Sequence, residues 1–211
     1  MESIERMAFS RPTIDAAVKH LRVADPVMRN VIRQVGPFTL KPGGDRFAML
    51  VRSIISQQIS TKAARSIRQR LQDLCPDQKL TAENLSRFDP DELRTAGVSP
   101  QKARYIGELC VAVVEERLRL RQLGRFSDEA VIEQLIQVKG IGRWTAQMFL
   151  IFALGRLDVF PHDDLGIRTA IRNLYGLDDL PDKQASHEIA EPWRPYASVA
   201  SWYCWRSGDL Q

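Results

Sequence analysis

The stretch that decides the fold is Leu135-Ile136-Gln137-Val138-Lys139-Gly140-Ile141-Gly142-Arg143-Trp144-Thr145-Ala146. An apolar-periodic helix runs into Val-Lys-Gly-Ile-Gly and restarts at once as a second apolar-periodic helix, so the glycines mark a very tight hairpin. Glycine permits positive φ and leaves the backbone bare. A turn of this kind puts the first amides of the second helix outside the helical ladder and facing outward. With the helix dipole, that makes a seat for phosphate. Backbone donors carry no base information, so a nucleic acid held there is bound largely without regard to sequence. Gly140, Ile141, Gly142, Arg143 and Thr145 are the candidate phosphate-binding residues. The plain alternative is a helix–helix connection, for which one glycine suffices.

Outward from the hairpin, helical periodicity continues almost throughout. Apolar residues recur three or four apart from Asp15 to Val35, and again from Arg46 through Ile55 after the turn at Gly43-Gly44. Start signals repeat. Ser60 can cap a helix from Thr61 towards Cys75, Ser99-Pro100 opens one through Arg119, and Ser127 precedes a run to Val138. Strand character is confined to Asp158-Val159-Phe160, which is too short to matter. The expected fold class is all-α, and the one plausible linker is Gly36 to Gly44.

The 211 residues suit one large domain or two small ones. Apolar residues at 44% and charged residues at 27% match soluble composition. No apolar stretch approaches the roughly 20 residues a membrane span needs. Met1 to Arg6 leads into no signal-peptide core, so the expected compartment is the cytoplasm, in association with the nucleoid, or the nucleus, and not secretion. Cys75, Cys110 and Cys204 lie too far apart in sequence for a disulfide framework or a zinc or iron–sulfur site. Seven lysines stand against 23 arginines, with a net charge of +4. That balance favours a polyanion partner, and weakly, because many proteins of small positive charge never bind nucleic acid.

The segment Val138 to Ala146, followed by Asp158-Val159-Phe160-Pro161-His162-Asp163-Asp164-Leu165-Gly166-Ile167-Arg168, resembles the helix-hairpin-helix DNA glycosylases that carry a Gly/Pro-rich loop and an essential aspartate. Within them it is most similar to the alkylated-base branch, the 3-methyladenine DNA glycosylase II type. The likeness extends to Ile54-Ile55-Ser56-Gln57-Gln58-Ile59-Ser60-Thr61-Lys62-Ala63-Ala64, to Gly97-Val98-Ser99-Pro100-Gln101-Lys102-Ala103, and to Trp193-Arg194-Pro195-Tyr196-Ala197 with Trp202. It implies two helical subdomains with an active-site cleft between them: a central one over residues 46–156 and a second built from 1–45 plus 157–211. It also implies a compact form without the extra N-terminal α/β domain of larger members.

The chemistry such an enzyme needs can be placed on residues. Breaking the bond between base and deoxyribose passes through an oxocarbenium-like state, which a carboxylate stabilises or serves by deprotonating water. The resemblance puts that role on Asp164 and leaves Asp163 to cap the helix or support its neighbour. Asp is also a favoured N-cap, so one of the pair is expected to do only that. An alkylated purine is already cationic, leaves without a general acid, and is best gripped by aromatic faces. Trp144, Met148 one turn further on, and Trp202 are the residues the resemblance puts in the base pocket. Trp202 could equally be core packing beside Trp193 and Trp205. Bifunctional members carry a lysine where Trp144 stands, so a monofunctional enzyme that leaves an abasic site is implied.

Gln57 and Gln58 match the family's wedge, which fills the hole left by the flipped base, with Gln58 as the intercalating residue. The alternative is surface glutamines at a helix end. Lys102 reads as a solvated lysine, or else as a phosphate contact. No cofactor is required by the resemblance and no iron–sulfur cluster is implied. A structural Na+ or K+ on the backbone carbonyls of Ile136, Val138 and Ile141 is. The implied partner is double-stranded DNA containing alkylated bases, met by a monomer. A rival from another class is a non-catalytic helix-hairpin-helix DNA-binding module, which needs the hairpin but not Asp164, Trp144 and Trp202 together. Among enzymes the runner-up is a glycosylase for deaminated or mismatched bases.

Overall fold

The structure, a computed structural model, describes residues 9–208; the N-terminal reading at Met1 to Arg6 lies outside them. Among the described residues there are twelve α-helices and no strand, so the chain is all-α as expected. The helices are α1 (Arg11–Ala24), α2 (Pro26–Val35), α3 (Arg46–Ser56), α4 (Thr61–Leu74), α5 (Ala82–Leu85), α6 (Pro90–Thr95), α7 (Pro100–Val114), α8 (Asp128–Ile136), α9 (Arg143–Phe152), α10 (Leu165–Tyr175), α11 (Lys183–Ala190) and α12 (Ala197–Ser207). None of the described helices is long and apolar enough to cross a membrane.

The chain divides into two compact units, Gly43–Phe149 and Met1–Pro42 with Leu150–Gln211. The first boundary falls in the non-helical segment after Gly36, where Gly36, Gly43 and Gly44 all have positive φ. The second lies within α9 rather than after residue 156, because Phe152 at the end of that helix already stacks on Trp205 of the second unit.

In Gly43–Phe149 the serine caps act where the sequence puts them. Ser60 accepts from Ala63 N at 3.2 Å, Ser99 from Lys102 N at 3.3 Å and Ser127 from Ala130 N at 3.3 Å. The helix read through Arg119 stops at Val114. Glu116 there has φ +57° and Leu118 N turns back to Ala112 O at 2.8 Å, which buries Leu118 and Leu120. Burying two leucines outweighs extending a helix whose last turn would be Glu-Glu-Arg. Helix α3 buries Phe47, Met49, Leu50, Val51, Ile54 and Ile55 and packs against α4 and α7.

In the other unit the single rhythm of Asp15 to Val35 is broken into α1 and α2 at Asp25-Pro26. Proline lacks the N–H and disfavours helix in the residue before it. Asp25 (φ −139°) caps α2 by accepting from Val27 N at 2.8 Å and Met28 N at 3.1 Å. Its other oxygen accepts from Trp193 Nε1 at 2.9 Å and from the Tyr175 hydroxyl. The carboxylate is buried but well supplied with donors, which is the condition under which a buried charge persists. Burial and this neighbour push the Tyr175 hydroxyl far up from its usual range. Around it Leu21, Met28, Ile32, Ile167, Ile171 and Val199 form an apolar core with α12 at its centre.

Candidate functional site

The hairpin between α8 and α9 is closed by Ile141 N donating to Val138 O at 3.0 Å, and α9 then begins with Ala146 N on Gly142 O at 3.0 Å. Its two glycines differ. Gly140 has φ +96°, and a Cβ on it would lie 2.1 Å from Tyr105 Cγ, so no other residue fits against that ring. Gly142 has no positive φ, and a Cβ there would meet nothing within 4 Å. Gly140 makes the turn; Gly142 leaves the entrance to α9 open to a ligand. The head of a helix beside bare backbone is suited to an anion. Arg143 forks onto Glu129 of α8, with Nη1 and Nη2 each 2.9 Å from a carboxylate oxygen, and that pairing holds the Glu129 carboxyl below its usual range. Thr145 is 1% exposed, so its hydroxyl faces the protein and not a phosphate, because the first turn of α9 rolls it inward.

The wedge candidates part company. Gln57 is half-buried, and its Nε2 donates to Gly140 O at 3.0 Å and Thr145 Oγ1 at 3.4 Å, which ties it to the hairpin and removes it as an intercalating group. Gln58 is exposed with φ +56° at the tip of the turn. Lys102 is half-buried rather than a freely solvated lysine. Its Nζ donates to Ile55 O at 2.8 Å and Gln57 O at 2.6 Å, and burial lowers its pKa. On α9, Trp144 is half-buried and Met148 is buried.

In the second unit the cap falls on the other member of the acidic pair from the one expected to supply it. Asp164, not Asp163, caps α10, accepting from Ile167 N at 2.9 Å. The residue immediately before Leu165 has the extended φ/ψ that an N-cap requires (φ −70°, ψ 120°). The same Oδ1 accepts from Trp205 Nε1 at 2.9 Å. Two donors on one oxygen fix the plane of the carboxylate. Gly166 makes room for this: a Cβ there would be 3.0 Å from Asp164 Oδ1 and 3.2 Å from Trp205 Cδ1. Asp163 is exposed and lies 3.2 Å from Nε2 of buried His162. Trp202 is 7% exposed, with its ring 4.6 Å from that of Phe38 and 4.9 Å from that of Tyr203, so it is a core residue. The indole beside the carboxylate is Trp205, three residues on and so on the neighbouring strip of α12.

In the sequence Trp205 stands out only as a neighbour of Trp193 and Trp202. The signal that points to it is its i, i+3 spacing from Trp202, which puts one indole in the core and the other at its edge. Tyr105 and Glu129 carry no motif. Cys75, Cys110 and Cys204 are free and buried, and burial pushes the Cys110 thiol up to about 11. Among the described residues no three His, Cys, Asp or Glu side chains group as metal ligands.

Residues 51–195 match the family described as the HhH-GPD superfamily base excision DNA repair protein. The alkylbase DNA glycosidase-like protein mag2 of Schizosaccharomyces pombe is 30% identical over 92% of this chain and 93% of its own length. DNA-3-methyladenine glycosylase 1 of the same yeast is 32% identical over 90% of this chain and 86% of its length. The solved structure of the S. pombe 3-methyladenine DNA glycosylase Mag1 in complex with abasic DNA superposes with a TM-score of 0.87 at 32% identity, covering 92% of this chain and 97% of that one.

Proposed function

The chain belongs to the HhH-GPD superfamily of base excision DNA repair proteins, and on that premise we propose that it is a monofunctional DNA glycosylase that removes alkylated, cationic purines from double-stranded DNA. It hydrolyses the N-glycosidic bond and leaves an abasic site. The observation that carries this reading is the Asp164 carboxylate, held at the head of α10 by the Ile167 amide and the Trp205 indole.

As the base departs with its electron pair, positive charge develops on the deoxyribose. Asp164 stabilises that charge and orients the water that adds to the sugar carbon. The base leaves neutral, since alkylation had made it a cation, so no protonated side chain is needed to assist it. Trp144 offers the electron-rich face that favours a cationic base. Trp144 has no amine to form a Schiff base, so strand cleavage falls to other enzymes. Trp202 belongs to the core beside Phe38 and Tyr203, on the helix that carries Trp205. Gly140, Ile141 and Gly142 take the DNA backbone at the head of α9, with Arg143 as an added cation, and Gln58 enters the duplex. The carbonyls of Ile136, Val138 and Ile141 are the proposed seat of a Na+ or K+. Neutral carbonyl oxygens suit such ions, and Val138 O is already oriented by the Ile141 amide. No reaction step passes through that ion. The protein acts as a monomer where the chromosome lies, at the nucleoid or in the nucleus.

The test is chromatography of the bases freed from duplex DNA carrying a panel of defined lesions. Release of 3-methyladenine or 7-methylguanine, lost in Asp164→Asn, is the expected result. DNA binding with no base released from any lesion would make the protein a non-catalytic binding module. Release confined to uracil, hypoxanthine or mismatched bases would move it to the deaminated-base class. Borohydride should trap no protein–DNA adduct.

A further inference from the structure

The turn that carries Gln58 is poorly held by its own backbone. At the end of α3 the Gln57 amide reaches Ile54 O, and the Ile59 amide Ser56 O, only at 3.4 Å, beyond good hydrogen-bond length. Gln58 between them sits at φ +56°, a left-handed conformation that a residue with a side chain adopts only when its surroundings impose it. Contacts to the backbone on either side of this turn come from α7. The Lys102 ammonium donates to Ile55 O at 2.8 Å and Gln57 O at 2.6 Å, one carbonyl in the last turn of α3 and one just past it. The Gln57 side chain carries the clamp onward to Gly140 O, and Tyr105, one turn along α7 from Lys102, packs against Gly140.

Lys102 breaks two local rules. It is a cation in the first turn of its own helix, the wrong end of that dipole, and it is partly desolvated, which lowers its pKa. The carbonyl end of α3 offsets both costs. Violations of this kind concentrate where function, not stability, fixed the residue.

We propose that Lys102 is a positioning residue for base flipping, presetting the wedge turn so that Gln58 meets the duplex already in its left-handed conformation. Both arms rest on the proposed reading of Gln58 as the wedge, and the excision arm rests on the glycosylase reading as well. The first arm uses Lys102→Met, which keeps the stem and removes the donors, on duplex DNA with a stable tetrahydrofuran abasic analogue flanked by 2-aminopurine. Wedge insertion unstacks the probe and raises its fluorescence without any chemistry. The variant should melt near the parent and bind undamaged duplex with parental affinity, yet lose most of the fluorescence rise. In the second arm, single-turnover excision of 7-methylguanine should fall about tenfold, the scale of hydrogen bonds to a charged group, when the lesion is paired. It should recover when the lesion lies in an unpaired bulge. A fluorescence rise equal to the parent's, or equal losses on paired and bulged lesions, would overturn the proposal. A parent that releases no base but unstacks the probe would remove the glycosylase reading and leave the Lys102 inference to the first arm. If Lys102→Met melts early, Lys102→Gln, which donates to one carbonyl, should give an intermediate fluorescence rise, and a parental rise would again overturn it.

Discussion

The hairpin at Val138 to Thr145 and the carboxylate site at Asp164 hold their working groups by different means. At the hairpin the shape is backbone: one positive φ at Gly140, one turn closure from Ile141 to Val138, and an open approach at Gly142. At Asp164 the shape is a meeting of side chains, in which an indole 41 residues further along the chain holds the same oxygen that caps α10. A site built from backbone depends on very few side chains, and those few are sterically absolute. A site built from side chains degrades in steps as each partner is removed.

The largest effect expected from that contrast is at the carboxylate itself. Asp164→Asn keeps an acceptor for Ile167 N and Trp205 Nε1, and Asn is as good an N-cap as Asp, so the melting temperature should barely move. Losing the charge should cost excision at least about 100-fold, the range seen when electrostatic stabilisation of a transition state is removed. Binding to abasic DNA should persist. Asp163→Asn serves as the control, and a greater loss of excision there than at Asp164 would move the active carboxylate to the other member of the pair.

Next in size is the split between the hairpin glycines. Gly140→Ala drives a methyl group into the Tyr105 ring and imposes a positive φ on a residue with a side chain. Strain and overpacking together should cost about 2–4 kcal/mol of stability. Gly142→Ala meets nothing in the protein and should melt within about 0.5 kcal/mol of the parent, while affinity falls equally for lesion-bearing and undamaged DNA. Calorimetry on the two variants, with fluorescence anisotropy titrations, checks both halves. Unchanged DNA affinity for Gly142→Ala would take the hairpin out of the DNA interface.

These two regions also explain what could be read from sequence. Gly-Ile-Gly between two periodic helices is a local pattern, and local patterns survive into structure because the backbone that makes them is contiguous. The serine caps at Ser60, Ser99 and Ser127 were legible for the same reason. The break at Asp25-Pro26 was equally local and was masked only by apolar residues that kept step across it. Trp205, Lys102 and Gln57 were not legible in their observed roles, since each acts on a group distant in sequence. Nothing in Gly-Val-Ser-Pro-Gln-Lys tells that the lysine turns back to two carbonyls of α3. Trp202 and Trp205 show the limit most clearly: one helix carries both, and only its rotation against the core decides which indole meets the carboxylate.

Trp205 and Trp202 should therefore fail differently when each is replaced by phenylalanine. Trp205→Phe keeps an aromatic ring for Phe152 to stack on and removes only the N–H held by Asp164. Excision should drop about tenfold at saturating enzyme, as expected for one hydrogen bond to a charged group, with DNA affinity and melting little changed. In an Asp164→Asn background the same change should have almost no further effect on the residual rate, since the partner charge is gone. Trp202→Phe removes buried volume between Phe38 and Tyr203 and should lower stability by about 1–3 kcal/mol while leaving the single-turnover rate of the folded fraction near the parent's. If the rate collapsed in Trp202→Phe and held in Trp205→Phe, the assignment of the two indoles would be reversed.

The smallest effect lies at the edge of the hairpin, where Arg143 is forked onto Glu129 and both side chains are more than half exposed or nearly so. Exposed pairs of this kind contribute little to stability, so Glu129→Gln should scarcely change melting. Its consequence is for DNA: to give Arg143 to a phosphate the parent must break a charged fork with Glu129, and the variant only a neutral contact there. Affinity should rise about twofold, on the scale of a surface ion pair, with a steeper salt dependence if the freed guanidinium takes up a phosphate. The pH dependence follows from the lowered Glu129 pKa. A carboxyl whose folded pKa is depressed contributes its stabilisation above the unfolded value and loses it as pH falls through the folded one. The fork should therefore survive somewhat below the ordinary glutamate range before it opens. A carboxyl NMR titration of Glu129 reads this directly: its midpoint should move up towards the usual glutamate value in Arg143→Gln, and an unmoved midpoint would show that the fork does not persist in solution.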